Sequence, residues 1–146
     1  MRRLVVLLVT AMTLLASAAT ASADVTRYSD FTTAGRGEAG YATGVLAVTW
    51  SSARSATVGV SLTDVCPGNG LGVYMHLRLR ASSGEWHPGP TAYNPNGCGT
   101  TTSGPVWWPS GYGRISHIDG RMCEEDHNGS LPSICTGWHE IDNPYT

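Results

Sequence analysis

The clearest hydrophobic pattern in the chain runs from Leu71 to Arg80. Leu71, Val73, Met75, Leu77 and Leu79 alternate with Gly72, Tyr74, His76, Arg78 and Arg80. Successive side chains of a β-strand point to opposite faces, so this segment predicts a strand with one buried face and one wet face. Thr43–Trp50 alternates in the same way, with Leu46, Val48 and Trp50 set against Ala47 and Thr49. Thr57–Thr63 repeats the pattern, with Val58, Val60 and Leu62 inward and Thr57, Gly59, Ser61 and Thr63 outward. Ser51–Ala56 and Asp64–Gly70 connect these runs, and the second carries the turn-forming string Pro67-Gly68-Asn69-Gly70. Three consecutive strands joined by short polar links predict an antiparallel meander. Val25, Tyr28 and Phe31 predict a short edge strand ahead of it.

After Arg80 the alternation stops. Ala81–Pro105 contains Pro88, Pro90, Pro95 and the turn dipeptide Asn96-Gly97, and it reads as a long irregular segment with an edge strand at most around Thr91–Asn94. Val106–Pro109 is apolar again. On an extended chain the adjacent Trp107 and Trp108 must face opposite sides. Arg114–Asp119 predicts a strand in which Ile115 and Ile118 disagree about which face is inside. Met122–Pro132 reads as a loop and Ile134–Ile141 as a last strand. No segment holds a helical period, since the best candidate, Glu38–Val48, is interrupted by Gly40 and Gly44. The fold class read from this pattern is all-β: an antiparallel β-sandwich or partly open barrel.

The first 23 residues do not belong to that pattern. Met1-Arg2-Arg3 is basic, Leu4–Leu15 is apolar, and Ala21-Ser22-Ala23 fits the small-residue cleavage rule. Residues 1–23 therefore read as a secretory signal peptide and 24–146 as a single secreted all-β domain, with no membrane span once the signal is cut. Loss of Arg2 and Arg3 leaves seven arginines against eleven acids, a net charge of −4. That balance argues against a nucleic-acid partner held by bulk electrostatics. The chain has no lysine, which points to a GC-rich bacterial gene.

Four cysteines, Cys66, Cys98, Cys123 and Cys135, in a small exported chain imply two disulfides. Three pairings are open; proximity along the chain favours Cys66–Cys98 and Cys123–Cys135. The second would close a loop of about a dozen residues, worth ~3 kcal/mol in the chain-entropy picture. No C-x₂-C pair with suitably spaced histidines suggests zinc. Asp126, Asn128 and Ser130 make only a fragment of a calcium loop, so no metal or cofactor is expected.

Five Trp and six Tyr against one Phe is an unusual aromatic set. Trp and Tyr pair an apolar ring with a polar handle and are common at contact surfaces. Trp86, Tyr93, Trp107, Trp108 and Tyr112 lie in or beside the irregular region Ala81–Gly113 and are the candidate ligand contacts. Trp50, Trp138 and one of Trp107 and Trp108 are expected in the core. Tyr74, His76, Arg78 and Arg80 form a line with spacings of roughly 7 Å on the wet face of the leading strand. Such a line suits an anionic group, although arginines there more commonly pair across strands with Asp or Glu. Neither H-E-x-x-H nor G-x-S-x-G occurs. The function expected is a secreted, non-enzymatic binding protein for polysaccharide or another cell-envelope component. The alternatives are a proteinaceous inhibitor or partner-binding protein presenting the Met122–Pro132 loop, and a small secreted hydrolase using a hydroxyl such as Ser116 with a distant His and Asp. Oligomeric state is not legible.

Overall fold

The computed structural model describes residues 23–34, 40–65, 71–125 and 132–146. They form β1 (Val25–Thr32), β2 (Tyr41–Ser52), β3 (Ser55–Val65), β4 (Gly72–Ala81), β5 (Trp86–Asn94), β6 (Thr101–Trp107), β7 (Ile115–Glu125), β8 (Ile134–Cys135) and β9 (His139–Asp142). There is no helix among the described residues. One antiparallel sheet has the order β1-β2-β3-β6; the other runs β5-β4-β7-β8, with β9 also paired to β7. The signal-peptide reading, Cys66, the Pro67–Gly70 turn and the Asp126–Ser130 fragment lie outside the described residues.

The alternation read from sequence is the alternation observed. Leu46, Val48 and Trp50 of β2 and Val58, Val60 and Leu62 of β3 are buried. They pack against Val73, Met75, Leu77 and Leu79 of β4 and Ile118 and Met122 of β7, so the core lies between two sheets. Of the predicted meander, the β2–β3 pairing holds but β4 begins the other sheet, while β1 is the edge strand expected ahead of them. A one-sided strand shows the same period in either layer, so periodicity reports which face is wet and not which sheet the strand joins.

Ala81–Pro105 is not an irregular loop. It supplies β5 and β6, one edge strand for each sheet. Proline cannot donate to a ladder and is tolerated at edges and bulges. Pro88 and Pro90 sit on the edge strand β5, where the β4–β5 register shifts between His76 and Arg78, and Pro105 sits on the edge strand β6.

β7 settles the disagreement between Ile115 and Ile118. Arg80 pairs with His117 but Ala81 pairs with Ile115, leaving Ser116 as an extra residue. This bulge returns Ile115 to the inner face, and both isoleucines are fully buried. Met122–Glu125 belongs to β7 rather than to a loop. The expected Cys123–Cys135 disulfide is present and joins β7 to β8 directly across the ladder. Cys98 is also disulfide-bonded. The predicted last strand is broken: Thr136–Trp138 separate β8 from β9.

Two buried asparagines staple the layers. Asn94 on β5 donates to the carbonyls of Leu62 and Thr100. Asn143 donates to the carbonyls of Ser52 and Ile115. At the Asn94 end, Thr33 donates its hydroxyl to Glu124, an inward-facing and buried carboxylate. Asp64 is buried near it; desolvation, with the charge of Glu124 second, raises its pKa above the ordinary aspartate value.

Candidate binding face

The β4 side chains that alternate with the core residues point outward from the second sheet, and register decides what they meet. Opposite residues share a face, so Tyr74, His76, Arg78 and Arg80 lie beside Cys123, Arg121, Asp119 and His117 of β7 and beside Tyr93, Thr91 and Trp86 of β5. The line of four is therefore real. Its first members are already engaged. His76 contacts Glu125 through Nε2 at 2.8 Å and Thr91 through Nδ1 at 3.1 Å. Arg78 donates from Nε and Nη2 to the same oxygen of Asp119, Oδ2, at 2.9 and 2.7 Å. The carboxylate that this arginine line invites is one of the protein's own. Arg80 donates to the Gly84 carbonyl and remains exposed.

Aromatic rings close over the arginines. The guanidinium carbon of Arg78 lies 3.9 Å from the Trp86 ring centre and 4.0 Å from that of Trp138. Arg121 stands 4.9 Å from Trp138 and Arg80 stands 5.5 Å from Trp86. The result is a ladder, Arg80–Trp86–Arg78–Trp138–Arg121, laid across three strands. Planar, weakly hydrated guanidinium suits such stacking better than ammonium would, consistent with a chain that uses only arginine. Trp138 was expected in the core. It is instead half-exposed, because the break between β8 and β9 swings it out onto this face.

At the other end of the face, Tyr74 and Tyr93 stack with ring centres 4.6 Å apart. A Cβ on Gly72 would come within 2.9 Å of Tyr93, so the bare backbone there is what lets the pair lie flat. Trp86 and Tyr93 remain 41 % and 40 % exposed.

The remaining candidates fall elsewhere. Trp107 packs on Gly89 and, with Tyr112, against the core; His87 and Trp107 both flank the Tyr112 ring. Trp108 is 60 % exposed beyond β6, so the two tryptophans do take opposite environments. Cys98 is on the β5–β6 connection, and Cys123 and Cys135 pin β8 to the face. The contact surface expected from loops Ala81–Gly113 is instead divided between two edge strands. Ser116, considered as a nucleophile, donates its hydroxyl to the Arg80 carbonyl at 2.9 Å.

Sequence reasoning missed the first sheet's outer face. Thr32, Thr43, Thr63 and Thr101 stand opposite one another across all four strands. Beside them an open groove of about 420 Å³ is lined by Tyr28, Val45, Ala47, Gly59, Val60, Ser61 and Gly104. Of these, Thr63 was read as an outward position; only the pairing register aligns the four. Compared with models of known families, with curated proteins and with solved structures, the chain matches none. The functional reading therefore rests on this geometry.

Proposed function

We propose that the protein is a secreted, non-enzymatic binding module of a bacterial envelope or its surroundings, with residues 24–146 as a two-disulfide domain. Its ligand is polysaccharide, and its contact surface is the outer face of the second sheet. The observation that carries this reading is the fixed exposure of Trp86 and Tyr93. Each is packed against a neighbour on the same face, yet keeps about two-fifths of its surface in water. Rings held in place before binding lose little conformational freedom when a sugar stacks on them. Arg80, Thr91 and Glu125 supply donors and acceptors for hydroxyls beside them.

The groove beside Tyr28, 69 % exposed, favours a second reading in which the same ligand class sits on the first sheet among the threonine hydroxyls. Co-sedimentation with insoluble polysaccharides and cell-wall material, with tryptophan fluorescence on soluble oligosaccharides, tests both. Saturable binding that weakens in folded Trp86→Ala and Tyr93→Ala supports the second sheet. Weakening only in Tyr28→Ala moves the site to the first sheet. Absence of binding to any polysaccharide removes the ligand class.

A further inference from the structure

β7 and β9 place four ionisable side chains on one patch as two directly opposed pairs: His117 faces Asp142, and Asp119 faces Glu140. Like charges opposed across a ladder repel, so the Asp119–Glu140 pair calls for a cation. Arg78 answers for one oxygen of Asp119 only, Oδ2. The other, Oδ1, is buried with no hydrogen-bond partner, and so is Nε2 of His117. These side chains are 3 % and 7 % exposed. Buried polar atoms without a partner are rare and ask for an explanation.

The two orphaned atoms lie close together. His117 Nε2 lies 3.7 Å from Asp119 Oδ1 and 3.4 Å from Glu140 Oε2. One donor atom each from His117, Glu140 and Asp142 lies within 4.8 Å of the others. The Ser116 hydroxyl gives its proton to the Arg80 carbonyl, so its oxygen is left to accept from His117 Nδ1, at 3.4 Å. A proton on Nδ1 leaves the lone pair on Nε2 facing carboxylate oxygens. A cation between them turns that repulsion into coordination.

We propose that His117 Nε2, Glu140 and Asp142 bind a divalent transition-metal ion of the zinc class, with Asp119 Oδ1 beside the His117 ligand. Zinc–nitrogen and zinc–oxygen bonds of about 2.0–2.2 Å make a tetrahedron with edges of about 3.4 Å, the span already present between Nε2 and Oε2. An imidazole among the donors favours zinc, nickel or copper over calcium or magnesium. A solvent-open cavity of about 370 Å³, lined in part by Arg80, Ser116, His117 and Glu140, gives the ion an entry path and room for water. Among the described residues the other cluster of possible donors, His76, Cys123 and Glu125, lacks a thiolate because Cys123 is in a disulfide. The inference stands independently of the polysaccharide reading.

The test is calorimetric titration of ZnCl₂ into chelator-stripped protein, with CaCl₂ and MgCl₂ in parallel and thermal unfolding of each mixture. The expected result is saturable uptake of one Zn²⁺ per chain with a rise in Tm, and no comparable uptake of Ca²⁺ or Mg²⁺. Glu140→Gln and Asp142→Asn, both exposed positions that leave the core intact, should each weaken uptake by about tenfold or more. Their metal-free Tm should stay near that of the parent, while His76→Gln should bind as the parent does. Absence of saturable zinc uptake overturns the proposal. So does uptake unchanged in both Glu140→Gln and Asp142→Asn, or calcium bound as well as zinc.

Discussion

Replacing Trp138 by Ala removes the ring that covers Arg78 on one side and Arg121 on the other. The separations of 4.0 and 4.9 Å are both within cation–π range. A partly desolvated cation–π contact contributes on the order of 1–2 kcal/mol. Two such contacts, plus the apolar area of a half-buried indole, put the loss at about 3 kcal/mol, near the lower end for tryptophan truncations. At this chain length that is a fall in Tm of roughly 10 °C. The total alone does not prove the ladder, because any truncated indole costs stability. A double-mutant cycle does. Trp138→Ala is measured by urea unfolding in the parent and in an Arg78→Met background. Arg78→Met strands Asp119 in both arms, so that penalty cancels. The expected coupling is about 1–2 kcal/mol. Additive single effects would show that Trp138 merely lies over Arg78, and the ladder would have to be abandoned as an energetic unit.

Asp64 supplies a pH test. Its folded-state pKa is raised by burial and by Glu124, so the folded chain holds a proton more tightly than the unfolded one. Its contribution to stability is therefore present at low pH and declines as pH climbs from the ordinary carboxylate range through the raised value. Asp64→Asn should gain on the parent across that window and then keep a constant lead; Tm curves that stay parallel from acid to neutral pH would count against the assignment. A Cβ at Gly89 would lie 2.7–3.0 Å from atoms of the Trp107 ring, so Gly89→Val should cost about 1–3 kcal/mol and shift tryptophan emission. Replacing Cys123 and Cys135 together by Ser opens a loop spanning 12 positions, and urea denaturation should show a loss of about 3 kcal/mol.

Hydrophobic alternation disclosed β2, β3 and β4 with their buried faces, because a strand wet on one side writes its period into local sequence. It did not disclose β6, and of β5 only the edge segment Thr91–Asn94 was legible. Their prolines and glycines look like loop chemistry, and only a place at the sheet edge makes them compatible with a ladder. Ile115 and Ile118 looked contradictory because a bulge is a relation between two strands. The candidate face was legible along a single strand, as Tyr74, His76, Arg78 and Arg80. Its partners were not, since Asp119, Glu125, Trp86 and Trp138 reach it through register. His117 and Glu140 carried no motif at all; they meet because β9 pairs antiparallel with β7.

The two prolines of β5 and the one of β6 have a consequence for the protein's behaviour in crowded solution. Exposed sheet borders are templates on which other chains polymerise. These two borders lack the regular row of amide hydrogens that a stacking chain needs, and they are contiguous in sequence, so a single 22-residue stretch from Trp86 to Trp107 guards both layers. On the far side of the first sheet, β1 carries no proline and offers Arg27 and Asp30 as its only charged side chains. Fibril-like growth is thus steered away from β5 and β6 toward β1 and the likewise proline-free β8 and β9 border of the second sheet.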